Sequence, residues 1–268
     1  MKVSVILPTY NESENIPIIL PAIANVLSQN GIDGEIVVVD DGSPDGTAGV
    51  AGKTEVSCPV RVISRIGPRG LSRSILEGLG AARGTVCVVM DADMSHLIDR
   101  IPDMVRPVLE GRCDATVGSR YIPGGGVRNW SLLRKLSSRF AGLLARGVTR
   151  LSDPTSGFMA VRKSRLEGIR FDPLGWKTVL EVVVKARLEV IAVPIVFSDR
   201  TFGKSKLTLA AQWDYARHLS RLYAFRYPRL FTHARAERLS APDPPKDDQE
   251  GHGRSDGARE NERPSPRQ

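Results

Sequence analysis

VVVDDGSPDGT, residues 37–47, passes in one step from a β-branched run into acidic and turn residues. Short apolar stretches that end in Gly, Pro, Asp or Ser read as buried strands. The same pattern recurs at Val3–Leu7, which runs into Pro8-Thr9-Tyr10-Asn11-Glu12, and at Thr85–Met90, which runs into Asp91-Ala92-Asp93. Glu35–Val39 is the strand of the opening stretch, and Val60–Ile63 is a fourth. Between the first two strands Ile16, Ile19, Leu20, Ile23 and Leu27 fall at helical spacing. They predict a helix over 12–28, with Asn11 or Ser13 available to cap it. Leu71–Ala82 and Ile98–Glu110 read as further helices. Strands that alternate with helices predict an α/β fold, a Rossmann-like central sheet flanked by helices. Ligands of such a sheet bind beyond the carboxyl ends of its strands, so the three polar clusters are expected to share one crevice.

After Gly111 the alternation loosens. Ala115–Tyr121, Gly157–Val161 and Val190–Phe197 are expected strands, with helices over Leu132–Thr149, Lys177–Leu188 and Leu207–Tyr227. From Arg235 onward the chain is Pro, Gly, Ser and charged residues with almost nothing apolar, a composition that cannot bury a core. The expected organisation is one catalytic domain over residues 1–233 and a disordered polar tail over 234–268.

The formal charge is +8. Seven basic and eight acidic residues lie from Arg235 to the end, which leaves 31 basic and 22 acidic before it. A basic folded body suits phosphates, anionic lipid or nucleic acid, and serves plain solubility as well. Nucleic acid is disfavoured because no aromatic-basic recognition motif accompanies the charge. Cys58, Cys87 and Cys113 are widely spaced without a CxxC pair, which argues against a disulfide or zinc framework and for a reducing compartment. No signal peptide and no apolar run long enough for a transmembrane helix is read, so a cytoplasmic protein is expected.

Two carboxylates one residue apart in a tight turn, as in Asp91-Ala92-Asp93, offer oxygens to a hard divalent cation that keeps open positions for substrate phosphates. Alone, such a pair is more often an Asx-turn or a cap, since loops are rich in Asp. The combination of segments is more specific. LPTYNESENI (7–16), VVVDDGSPDGT (37–47), GLSRSILEG (70–78), VMDADMSH (89–96), GSRYIPGGG (118–126), TSGFMAVRK (155–163) and DRTFGKSKL (199–207) resemble, in order, the segments of family 2 glycosyltransferases of the GT-A fold. Within that family the chain is most similar to the dolichyl- or polyprenyl-phosphate mannose synthases, over about residues 3–226.

The resemblance implies inverting transfer of mannose from GDP-mannose to a polyprenyl (dolichyl) phosphate. It places Pro8, Tyr10, Glu12, Val39 and Asp41 around the nucleotide, where carboxylates accept from base or ribose and Tyr10 offers a stacking face. It assigns Asp91, Ala92 and Asp93 to the diphosphate and its Mg²⁺ or Mn²⁺, with Ser95 at a position where the family often has Gln. A hydroxyl is a shorter and weaker ligand there. Arg120, Arg200 and Lys206 match positions that face phosphates, and Arg134 matches a position for the acceptor phosphate. Arg200 to Lys206, with Gly203 inside, suits a loop that closes over the donor. A lipid phosphate is already anionic at neutral pH, so no general base is required to attack the anomeric carbon.

A lipid acceptor requires a membrane surface. Leu132 to Arg150 and residues 207–231 mix apolar residues with Arg, Trp and Tyr, as in an interfacial helix, although a helix packed on the sheet with a wet basic side explains them equally well. Peripheral association with the cytoplasmic face, or a membrane-anchored partner subunit, is the expectation. The competing readings are a UDP-glucose-dependent enzyme of the same fold and a non-catalytic nucleotide-sugar-binding accessory protein. Glu181 is open between a buried salt bridge and catalysis, His96 reads as a neighbour of the metal motif, and His218 as helix surface.

Overall fold

The computed structural model describes residues 2–94, 98–128, 130–172, 177–197 and 209–228. The chain runs β1 (Val3–Thr9), α1 (Ile16–Gln29), β2 (Gly34–Asp40), α2 (Thr47–Lys53), β3 (Val60–Ser64), α3 (Leu71–Ala81) and β4 (Val86–Val89). It continues with α4 (Ile101–Leu109), β5 (Ala115–Ser119), β6 (Gly126–Val127), α5 (Leu132–Ala145), β7 (Met159–Arg162), α6 (Thr178–Lys185), β8 (Val190–Pro194), β9 (Val196–Phe197) and α7 (Leu209–Arg226).

Seven strands form one sheet in the order β3-β2-β1-β4-β7-β5-β8. All its pairings are parallel except those of β7, which is antiparallel to β4 and β5. β1 is buried along its whole length, as a near-continuous apolar run between two parallel neighbours demands. Chain order reverses between β1 and β4: β2 and β3 lie on one side, β4 and the later strands on the other. The crevice at that switch point is therefore floored by the segments that leave β1, β2 and β4.

Side chains alternate across the sheet, and the two faces build two cores. Val3, Val5 and Leu7 pack with Ile19, Ile23 and Met104 under α1 and α4. Ile6, Val37 and Val39 pack with Ile75, Leu79, Val179 and Val182 under α3 and α6. Gly78 sets the spacing of α3, since a Cβ there would lie 2.4 Å from Ile6 Cγ2 and 3.1 Å from Val39 Cγ2.

The first helix starts later than its periodicity predicts. Glu12 to Asn15 forms a turn in which the Glu12 carbonyl accepts from the Asn15 and Ile16 N–H groups, both at 3.0 Å. Neither Asn11 nor Ser13 caps α1; their N–H groups donate to Ser43 Oγ (3.0 Å) and Asp45 Oδ2 (3.1 Å). α2 has no counterpart among the expected elements, because Gly49 and Gly52 give it poor propensity. It is anchored at its start by Asp45, which accepts from the Thr47 N–H and hydroxyl. Burial pushes the Asp45 carboxyl up, but bonds from Thr47 and Ser13 outweigh that and hold it at about 2. The single strand expected over 190–197 breaks at Ile195 into β8 in the main sheet and β9, which pairs with β6 instead.

Glu35 is fully buried at the opposite edge of the sheet from the crevice. Its carboxylate accepts from Ser4 Oγ (2.7 Å), the Arg83 N–H (2.7 Å) and Arg61 Nη1 (3.4 Å). Ser4 Oγ in turn accepts from the Gly84 N–H at 2.8 Å, so one carboxylate ties together the entries of β1, β2 and β4. Glu35→Ala should lower the unfolding free energy by about 3 kcal/mol, read from the urea midpoint, because Arg61 and Ser4 lose their buried partner.

α7 packs on α5 and α6. Leu219 and Leu222 join Ala145, Val148, Leu180 and Val184 in a third apolar cluster. The hydroxyls of Tyr215, Tyr223 and Tyr227 each donate at 2.8 Å to the carbonyls of Ala141, Leu144 and Gly147. These hydroxyls bond to protein, as the packed-helix alternative of the sequence reading has it. His218, expected at the surface, is 2% exposed with its Nε2 unpartnered. Among the described residues no helix is long and apolar enough to cross a membrane.

Burial holds the His218 pKa below its ordinary value, against Glu181 and Asp172 that raise it and with Lys185 and Arg221 that lower it further. The folded state therefore binds the proton less well than the unfolded chain. Its contribution to stability is complete above about pH 6.5 and falls as the pH drops below that value. Tm followed from pH 7.5 to 5 should fall less steeply in His218→Leu than in the native chain.

Candidate active site

The crevice is built from loops that bond to one another. The segment after β1 is stitched to the segment after β2 by the Asn11 and Ser13 bonds and by the Glu12 N–H to Thr47 Oγ1 at 2.9 Å. Asn11 takes a left-handed φ of 59°, which Asn tolerates better than most residues. Glu12 accepts from Asn15 Nδ2 at 2.6 Å, so its carboxylate is held beside the crevice by the turn that begins α1.

The residues expected around a nucleotide are placed as follows. Tyr10 is 39% exposed, with the Arg69 guanidinium 4.5 Å above its ring and Arg69 Nη1 donating to its hydroxyl at 2.5 Å. Pro8 and Val39 sit opposite each other in the β1–β2 register. Val39 is fully buried against α3, so its side chain shapes the core. Asp41 accepts from the Gly70 N–H at 2.7 Å and from Arg65 Nη1, and Arg65 also donates to Glu77 at 2.8 Å. The Asp41 carboxylate thereby ties the end of β2 to the start of α3.

Asp91-Ala92-Asp93 follows β4 directly. Ala92 is buried in the core under α4, and Asp93 is buried as well. Met94 holds a φ of 59°, a conformation strained for a side chain of its kind. The turn therefore keeps a backbone that its own sequence disfavours, a feature that clusters at ligand sites. Ser95 and His96 lie outside the described residues, as do Arg200, Lys206 and the tail over 234–268.

Arg120 leaves the end of β5 and is buried. Its Nε and Nη2 donate to the two oxygens of Asp153 at 2.6 and 2.8 Å, and Nη2 also donates to Thr155 Oγ1 at 2.6 Å. Aromatic rings surround the fork: Trp130 at 5.0 Å, Tyr121 at 5.5 Å and Phe197 at 5.6 Å from Cζ. Burial alone would push the Asp153 carboxyl up, but the hydrogen bonds and charge of Arg120 hold it below the usual carboxylate range. Arg134 also lies over Trp130, with Cζ 4.1 Å from the same ring, and its N–H donates to Ser131 Oγ at 3.3 Å. Trp130 is buried with its Nε1 unpartnered.

Sequence reasoning did not assign Lys177. Its Nζ donates to the Thr155 carbonyl at 3.0 Å. Burial and the charge of Arg120 push its pKa down to about 8, against Asp153 and Asp91, which raise it. Lys177 thus joins the Asp91 turn to the Arg120–Asp153 pair, and one field contains two carboxylates and two cations. No pattern in the sequence marks it, because a lone lysine gains its role only from the charges that the fold brings to it. Glu181, by contrast, accepts from Lys185 Nζ (2.5 Å) and the Asp172 N–H (2.7 Å), which makes it part of the scaffold. Lys177→Met should lower turnover by about tenfold or more with an unchanged Tm, and Lys177→Arg should restore part of it; equal kinetics in both variants would remove Lys177 from the site.

Residues 4–170 match the family model described as glycosyl transferase family 2. The chain is 42% identical over 227 residues to the dolichol-phosphate mannosyltransferase of Pyrococcus furiosus, covering 83% of this chain and 64% of that relative. It is 34% identical over 236 residues to the dolichol-phosphate mannosyltransferase of Saccharomyces cerevisiae, covering 84% of this chain and 88% of the relative. A crystal structure of glucosyl-3-phosphoglycerate synthase from Mycobacterium tuberculosis, in complex with Mn²⁺, uridine-diphosphate-glucose and phosphoglyceric acid, matches with a TM-score of 0.60 at 18% identity. That match covers 84% of this chain and 79% of that one, and it is a likeness of fold.

Proposed function

This chain belongs to glycosyl transferase family 2, with the GT-A fold, and from that premise we propose that it transfers mannose from GDP-mannose to a polyprenyl or dolichyl phosphate, inverting the anomeric centre. The observation that carries the reading is that relatives from an archaeon and a yeast, both dolichol-phosphate mannosyltransferases, align with more than four-fifths of the chain. The chain spans 64% of the length of the archaeal relative.

The donor set at the β4 turn fits a divalent cation. Asp91 and Asp93 supply hard oxygens, and no group of three or more His, Cys, Asp or Glu residues gathers among the described residues. Two carboxylates, with Ser95 as a third contact, leave most positions to water and phosphate oxygens, as Mg²⁺ or Mn²⁺ prefers. When bound, the cation supplies positive charge to the diphosphate leaving group. Tyr10, Glu12 and Asp41 receive the nucleotide beside Pro8, Val39 and Ala92. Lys177 places positive charge beside Asp91, with Arg120 in the same field, and Arg200 and Lys206 are the further cations that the family resemblance assigns to phosphate. Arg120 acts as a preorganised field, because Asp153 holds its orientation. The acceptor phosphate, already anionic, is oriented by Arg134 and attacks without a base.

The acceptor is a lipid, and α5 offers a face for its membrane. Leu132 (73% exposed), Leu136, Phe140 (61%) and Leu143 recur at helical spacing along it, and Trp213 on α7 is 76% exposed. Such an apolar stripe flanked by Arg and Lys suits peripheral docking at the cytoplasmic face or on a membrane-anchored partner subunit.

A transfer assay that pairs GDP-mannose or UDP-glucose with polyprenyl phosphate in detergent tests the reading. Mannose should be transferred in clear preference, with product of inverted configuration; preferential use of UDP-glucose or a retained configuration would overturn the donor or the mechanism. Asp93→Ala should lower turnover by about a thousandfold with native unfolding behaviour, and EDTA should abolish transfer until Mg²⁺ or Mn²⁺ is restored.

A further inference from the structure

Arg65 follows β3 directly, and its side chain is only 8% exposed. Its N–H donates to the Asp40 carbonyl at 2.8 Å, which continues the β2–β3 pairing and fixes the backbone from which the side chain departs. The guanidinium lies between two acids. Its Nη1 donates to Asp41 Oδ1, and its Nε donates to Glu77 Oε2 at 2.8 Å. Glu77 belongs to α3, so the planar fork is held from both sides.

Asp40 and Asp41 are neighbours with different tasks. Asp40 accepts from Thr9 Oγ1 and from both the N–H and the hydroxyl of Ser43, and it is 2% exposed. Its carboxylate is used in holding the loops together. Asp41 accepts one protein hydrogen on each oxygen: Arg65 bonds to Oδ1, and the Gly70 N–H bonds to Oδ2 at 2.7 Å. A carboxylate has about four acceptor positions, so one on each oxygen is left over.

The two donors to Asp41 stand at opposite ends of one loop, residues 65–70. Gly67 turns that loop with a φ of 117°, which only glycine adopts readily. Arg69, next to Gly70, lies over the Tyr10 ring. The loop thus governs both Asp41 and Tyr10. A tie between β3 and α3 needs only Glu77, which is 46% exposed and meets Arg65 without help from Asp41. Including Asp41 does something more: it fixes that carboxylate from two directions at the edge of the crevice.

We infer that Arg65 is a positioning residue, which with the Gly70 N–H orients Asp41 so that its two open acceptor positions receive two neighbouring hydrogen-bond donors of the nucleoside. A guanosine nucleotide has two such pairs, the N1–H with the 2-amino group of the base and the 2′,3′-diol of the ribose. The inference rests on the placement of Asp41 beside the nucleotide in the proposed function.

Calorimetric titration of the full chain with GDP, IDP and 2′-deoxy-GDP, in the presence of Mg²⁺, tests it. IDP lacks the 2-amino group, and 2′-deoxy-GDP lacks one hydroxyl of the diol. One of these analogues should bind the native chain about tenfold more weakly than GDP, which identifies the donor pair. Arg65→Met should reduce that preference to about twofold or less, because Asp41 is then held by a single donor. A preference that survives Arg65→Met in full overturns the role of Arg65. Equal binding of all three nucleotides by the native chain overturns the inference earlier, through the placement of Asp41. If UDP binds more tightly than GDP, the donor reading fails, and the Arg65 comparison is scored on UDP and 2′-deoxy-UDP. Pyrophosphate with Mg²⁺ has no nucleoside and should bind the native chain and Arg65→Met within about twofold of each other. A loss for pyrophosphate equal to that for GDP would show a general disturbance and overturn the inference. Arg65→Lys keeps the charge without the fork and should show an intermediate preference. Should Arg65→Met not fold, Arg65→Lys decides, and full retention of the preference there overturns the inference.

Discussion

The bidentate pair between Arg120 and Asp153 holds together everything that the second half of the chain contributes. Arg120 comes from the end of β5 and Asp153 from the segment between α5 and β7, so the pair closes a long loop. Around it stand Trp130 and Phe197, which meet edge to face at 5.6 Å and bring in the small β6–β9 sheet. Thr155 continues the network to Ser138 on α5 and to Lys177 before α6. Charges taken out of water are expensive, and such pairs often add little net stability compared with a packed apolar substitute. What this pair supplies is direction: it orients a buried cation beside the crevice with no freedom to turn away.

The first half obeys a different constraint. Its strands are parallel, so their carboxyl ends must all arrive at one edge, and the helices that return the chain occupy both faces. Polar groups that leave β1, β2 and β4 are brought side by side by that rule alone. Their side chains and backbone then bond across the gap, as Ser43 and Thr47 do to the Asn11 and Glu12 N–H groups. The crevice is thus built from short-range chemistry on a long-range frame. At the far edge Glu35 performs the matching task, with one carboxylate shared among three chain entries.

This difference explains how much was legible in the sequence. Strands announce themselves by β-branched runs, and the ends of β1, β2 and β4 follow from composition and the parallel-sheet rule. The family resemblance added residue roles that no periodicity contains. Local chemistry that competes with periodicity was harder to read: Asn15 stands at the start of α1 because the Glu12 carbonyl organises a turn there, and α2 persists despite its glycines because Asp45 anchors it. Pairings between distant segments left no pattern at all. Asp153 looks like an ordinary Asp-Pro turn until Arg120 is seen against it, and His218 looks like a helix surface until α6 is laid beside α7. Lys177 gains its character only from the charges that surround it.

Gly78 links core volume to ligand geometry. It allows α3 to lie almost in contact with Ile6 and Val39, and the same helix begins at Gly70, whose N–H meets the Asp41 carboxylate. α3 therefore works as a strut between the packed interior and the Asp41 side of the crevice. A methyl group added at Gly78 would lift the helix, and the displacement would be delivered to Asp41, about two turns away at the start of α3, rather than absorbed in place. Variation at this position would register at the crevice as a shifted Asp41 carboxylate, although the residue itself touches only the interior.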